Sequence, residues 1–162
     1  GITIYEMVRD EKLYPLEQYL DAADLALARD PVNIAQLTRW MKDDDEGMRW
    51  WAVVGLHLLK DDAVPARQSL KKGLDDSSDE VKMMSAWTLV NLGDTNAGLV
   101  ALETLLFEDE SKASNTTMLH NVLDWMGEPA FPLVKKYIDN GGNRQGRYGI
   151  GILGRIAQLN GW

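Results

Sequence analysis

The sequence predicts an all-α fold of about nine helices stacked as hairpins, on three observations. The first is a repeat: "MRWWAVVGL" (Met48 to Leu56) and "VKMMSAWTL" (Val81 to Leu89) place an apolar residue, a cation, a small residue and a leucine at equivalent positions. The leucine register returns after 33, 34 and 30 residues, at Leu56, Leu89, Leu123 and Leu153, and a spacing of this length is that of helical hairpins stacked side by side. The second is capping chemistry at the segment boundaries. The third is that no stretch alternates apolar and polar residues for long enough, between turn signals, to demand a strand.

In chain order, residues 1–14 are expected to be a linker from a preceding domain and residues 15–162 a single helical domain. Gly1 in place of Met is what a processed or excised chain would show. A helix is predicted near 15–29. Asp30 before Pro31 then supplies an N-cap with proline at the first helical position, where its missing N–H costs nothing, and opens a helix over 32–42. In the block that follows, Met48, Ala52, Gly55, Leu56 and Leu59 share a face and should pack on the preceding helix. The next hairpin pairs 64–74 with the helix from Val81, where Ser77 and Glu80 have the spacing of a capping box, Ser85 is small enough for close approach, and Gly93 lies just past the end. Helices over 96–107 and 130–139, the latter opened by Glu128-Pro129, precede the blocks that contain Leu123 and Leu153. The pattern Val/Met-Arg/Lys-x-x-small-x-x-x-Leu is that of HEAT-like repeats, which implies a short α-α superhelix. Thr116 and Gly146 replace the cation in the last two blocks, where the array should be less regular.

Composition removes whole classes of function. With 162 residues the chain is long enough to bury about two-thirds of its unfolded surface. Its 25 acidic against 17 basic residues, a net charge of -8, repel phosphate backbones, so nucleic acid is not an expected partner. The absence of cysteine excludes disulfides, thiolate metal sites and cysteine nucleophiles. No apolar run approaches the roughly 20 residues of a membrane span, and no signal-peptide pattern is present, so membrane insertion is not expected and the location stays open.

Near the C-terminus, GIGILG (Gly149 to Gly154) has the G-x-G-x-x-G spacing of a dinucleotide cradle. The repeat register puts it inside a helix, whereas the cradle needs a preceding strand, a tight turn and an acidic residue about 20 positions on. The glycines are therefore expected to serve close helix contact, and no cofactor is expected in this chain. Acidic runs at Asp43 to Glu46, Asp75-Asp76 with Asp79-Glu80, and Glu108 to Glu110 fall in turns, where caps and first-turn acids account for them. A calcium site along that edge, without the EF-hand spacing, or a docking edge for a basic partner is the alternative. His57 and His120 have no serine or acid fixed beside them by spacing, and no catalytic set emerges. The repeat register aligns Trp50, Val54 and His57 with Met83, Trp87 and Val90, then with Thr117, Asn121 and Asp124, and finally with Arg147. These should share one concave face, which either packs in the core or on another domain or serves as a groove for a protein or a glycan, whereas Trp51, Met84, Met118 and Tyr148 should lie in the core.

"YEMVRDEKLYPLEQYLDAADLA" (Tyr5 to Ala26), followed by "MRWWAVVGL", resembles the helical C-terminal extension of bacterial sulfatases of the arylsulfatase and heparan N-sulfatase-like type. The likeness rests on Tyr14 to Glu17 opening an Ala-rich helix and on Arg49 to Ala52 in a HEAT-like pair, and it covers roughly residues 3 to 60. It implies a parent enzyme that cleaves sulfate esters or N-sulfates with a formylglycine and calcium, exported to the periplasm or beyond. The cysteine or serine motif for that chemistry is not in this sequence. The expectation is a noncatalytic domain whose partner is the sulfatase domain in cis, or alternatively a free-standing scaffold that binds a protein. Helical-repeat DNA glycosylases are a third class, but they need a basic groove.

Overall fold

The computed structural model describes residues 3–107, 116–140, 151, 153–155 and 158, and every regular element among them is helical. The protein is all-α. Among the described residues nine continuous α-helices run in order: α1 (Ile4–Met7), α2 (Leu16–Leu27), α3 (Ile34–Trp40), α4 (Glu46–Leu58), α5 (Arg67–Gly73), α6 (Asp79–Asn91), α7 (Thr95–Phe107), α8 (Thr116–Met126) and α9 (Phe131–Asp139). Short 3-10 segments, Pro31–Asn33, Lys60–Ala66 and Glu128–Ala130, lead into α3, α5 and α9. Contacts group the chain into two compact units, Gly1–Ala66 and Arg67–Trp162. The division falls beside Pro65 in the middle 3-10 segment, where proline removes a backbone donor.

Local chemistry explains the boundaries. Asp30 accepts a hydrogen bond from Val32 N at 3.0 Å, with Pro31 following as expected. At the start of α6 the N-cap is Ser78, one residue after the expected Ser77; its N–H donates to Asp76 Oδ1 at 2.8 Å. A full capping box stands elsewhere, at α1, where Thr3 N donates to Glu6 Oε2 at 2.9 Å and Glu6 N donates to Thr3 Oγ1 at 3.2 Å. Gly93, at φ 89°, ends α6: its N–H donates to Val90 O at 3.0 Å and Asp94 N donates to Leu89 O at 2.8 Å, the two bonds of a Schellman motif.

In the first unit α2 and α3 both pack on α4. Met48, Ala52, Leu56 and Leu59 are buried, as their shared face requires, and Gly55 is where the three helices converge. A Cβ placed there would lie 2.7 Å from Leu37 Cδ2 and 3.1 Å from Ala26 Cα. In the second unit α6 is the central helix, in contact with α5, α7 and α8. Its closest approach is at Gly98 of α7, where an added Cβ would lie 2.5 Å from the Ala86 carbonyl oxygen. Around this crossing Ala86, Val90, Leu102, Leu105, Val122, Leu123, Leu133 and Val134 form one apolar core. Arg67 of α5 clamps the turn after α6: it donates to Leu92 O at 2.9 Å and lies 2.7 Å from Asp94 Oδ2.

Candidate functional site

The acidic turns come first, because a carboxylate already held by backbone donors is a poor ligand for anything else. Asp45 caps α4, accepting from Met48 N at 3.0 Å, and both of its oxygens accept from Tyr19 OH at 2.9 Å. Gly47 makes room for that tyrosine: a Cβ there would lie 2.6 Å from Tyr19 Cε1. Burial, with the Asp45 hydrogen bond behind it, pushes the Tyr19 phenol up to about 12. Asp43 Oδ1 accepts from Asp45 N at 3.0 Å, and Arg49 donates to Asp43 O and Asp44 O, closing the turn. In the second turn Lys82 pairs with Asp79 at 2.8 Å. The third run, Glu108 to Glu110, lies outside the described residues. Among the described residues no three His, Cys, Asp or Glu gather as metal ligands.

The ten expected groove residues are divided between the two units. On α4, Trp50, Val54 and His57 follow one another at four and three residues and are all half-buried. Burial holds the His57 imidazole below its usual pKa, so it is neutral at pH 7. Trp51, expected in the core, is half-buried like Trp50. In the second unit the groove assignment is corrected at Met83, which is 2% exposed and belongs to the core, as does Val90. The physical reason is that α6 is covered on nearly every side, so no face of it from Met83 to Val90 is left open except at Trp87. Asn121 is exposed on α8 and Asp124, one turn on, is half-buried; Arg147 lies outside the described residues.

What the second unit does assemble is an aromatic pair with a carboxylate beside it. The Trp87 ring of α6 and the Trp125 ring of α8 have centroids 5.9 Å apart at a tilt of 31°, and Trp125 is 60% exposed. Asp124 Oδ2 lies 3.3 Å from Arg155 Nε, while its buried Oδ1 has no hydrogen-bond partner among the described residues. Trp125 and Arg155 were not singled out by the repeat register, although Trp125 follows exposed Asn121 by four residues and so shares its face.

At GIGILG, Gly151, Leu153 and Gly154 are helical and Gly149, Ile150 and Ile152 lie outside the described residues. No described residue makes the expected close contact at either described glycine: a Cβ on Gly151 or Gly154 would meet none of them within 4 Å. Nothing in the structure explains why glycine stands there.

No protein-family model matches this chain, and no curated protein matches it. No helix among the described residues is long and apolar enough to cross a membrane. One further surface, on α2, was not anticipated: Leu16, Leu20 and Leu27 are 45%, 52% and 56% exposed on a single face.

Proposed function

We propose that this chain is a noncatalytic HEAT-like helical module, related to the C-terminal extension of sulfatases, which packs on a catalytic domain and shapes access to it. The observation that carries the reading is positional equivalence. Met48 and Val81, Ala52 and Ser85, and Leu56, Leu89 and Leu123 are all buried at a spacing of 33 or 34 residues, so one packing solution serves successive helices. Its polar groups support the same reading. Asp45, Asp76, Asp79 and Asp94 are engaged in caps and ion pairs, which leaves them holding turns rather than facing a substrate.

The test is activity of the purified chain on aryl sulfates and sulfated sugars, with and without added calcium. No turnover is expected. Reproducible hydrolysis abolished by a substitution within residues 1–162 would sink the proposal, and a coding sequence without a sulfatase domain joined ahead of Ile2 would remove the family from it. A free-standing partner-binding scaffold is the second reading, favoured by exposed Trp125 stacked beside Trp87.

A further inference from the structure

The strongest unassigned feature is the outward face of α2. At 100° per residue, Leu16, Leu20, Ala23 and Leu27 fall at i, i+4, i+7 and i+11 and form one apolar stripe. The buried face of the helix, Ala22 and Ala26, lies on one side of that stripe. On its other side Glu17, Asp21 and Asp24 form a second row at i, i+4 and i+7, all exposed.

Neither row is accounted for by the described residues. Glu17, Asp21 and Asp24 make no ion pair or side-chain hydrogen bond to any described residue, and α2 contains no lysine or arginine. Like charges at this spacing repel along a helix, and aspartate is a weak helix former in a helix interior, so the row costs α2 stability when nothing faces it. Glu17 alone, in the first turn, is favoured by the helix dipole. A solvent-facing helix surface is ordinarily polar, whereas this one carries three half-exposed leucines.

We propose that this face docks a basic amphipathic helix of the neighbouring domain on which the module packs, its apolar residues on the leucine stripe and its lysines or arginines on the Glu17–Asp21–Asp24 row. This rests on reading the chain as a noncatalytic packing module and names the chemistry of what it packs against. The mode is a helix laid along an apolar face, with charge setting register and orientation. A second copy does not fit the same face: α2 offers no cation to the acidic row, and each chain carries a net charge of -8.

The probe is a labelled synthetic helix of leucine and lysine, with leucines at i, i+4, i+7 and i+11 and lysines on both flanks, titrated with the full chain and followed by fluorescence anisotropy. Two control peptides accompany it, one of the same composition in permuted order and one with glutamate in place of lysine. The patterned basic peptide should bind at least about tenfold more tightly than either control. Leu20→Ala and the pair Asp21→Lys/Asp24→Lys should each weaken it about tenfold or more. The pair Asp61→Lys/Asp62→Lys, on exposed residues of the 3-10 segment, changes net charge equally and should leave binding within about twofold. The Asp21→Lys/Asp24→Lys chain should gain affinity for the glutamate peptide, which a merely structural loss would not produce.

Equal weakening by the Asp61/Asp62 pair would overturn the proposal, because binding would then follow net charge alone. Sedimentation showing self-association abolished by Leu20→Asp would assign the face to a second copy and overturn it too, as would Leu20-dependent binding to phosphatidylcholine vesicles. An indifferent α2 leaves the noncatalytic reading standing, and sulfate hydrolysis by the chain would sink that reading without touching this surface.

Discussion

Gly98→Ala is the sharpest test of the packing in the second unit. The new methyl carbon would lie 2.5 Å from Ala86 O, 2.6 Å from Val90 Cγ2 and 3.3 Å from Ala86 C. Carbon–oxygen contacts settle at about 3.3 Å or more, so α7 must withdraw from α6 by roughly 0.8 Å at the crossing. Val90 is a side chain and can turn away, but the Ala86 carbonyl is helix backbone and cannot. A gap of that size forfeits a quarter to a half of the dispersion energy of the atoms it separates, and overpacking of this kind costs about 1–3 kcal/mol. Alanine returns up to about 1 kcal/mol through its better helix propensity. The net expectation is a loss of about 1–2 kcal/mol, read as a lower urea midpoint at unchanged slope. Val90→Ala on the Gly98→Ala background should restore little, since it removes only the yielding half of the clash. A Gly98→Ala chain as stable as the parent would refute the claim that α6 and α7 meet at backbone contact there.

The other predictions follow from single sites. Gly151→Ala, in open space on a helix, should be neutral or stabilising by up to about 1 kcal/mol, and neither chain should bind NAD, NADP or FAD saturably; a dinucleotide affinity lost on substitution would reverse the reading of GIGILG. Asp94 has its pKa held below the usual 3.8 by the Arg67 hydrogen bond first and Lys71 after it, against the upward push of burial. Its contribution is therefore complete above pH about 4 and is lost as pH falls through the lowered value, so the stability gap between the parent and Asp94→Asn should close in acid; a gap independent of pH would count against the ion pair. Trp50→Ala and Trp51→Ala, both half-buried on α4, should each fall short of the roughly 3–5 kcal/mol of a core aromatic and differ by about 1 kcal/mol or less, which denaturant melts would check.

Where the sequence carried a local chemical rule, the element was legible. Asp30-Pro31, Gly93 and the Met48–Ala52–Leu56 face each depend on neighbours within one or two turns, and each stands where the rule puts it. The N-cap of α6 is Ser78 rather than Ser77, without a side-chain cap bond, because Ser78, Asp76 and Glu80 offer competing local hydrogen bonds in the same turn. The α1 box went unread because a four-residue helix leaves too little apolar periodicity to show that a helix follows Thr3.

The groove was less legible, for a reason visible in α6 and α2 together. Helical spacing says which side chains share a face, as it did for Trp50, Val54 and His57, but not what covers that face. From Met83 to Val90 the sequence contains no charged residue, and the absence of a polar face is itself the mark of a helix buried all round. That composition outweighs the register that aligned Met83 with Trp50. In α2 the opposite inference holds: leucines and carboxylates are sorted into adjacent rows, yet both rows meet solvent. Apolar area and charge are both left to solvent on α2, so the docking proposal is tested first at that helix.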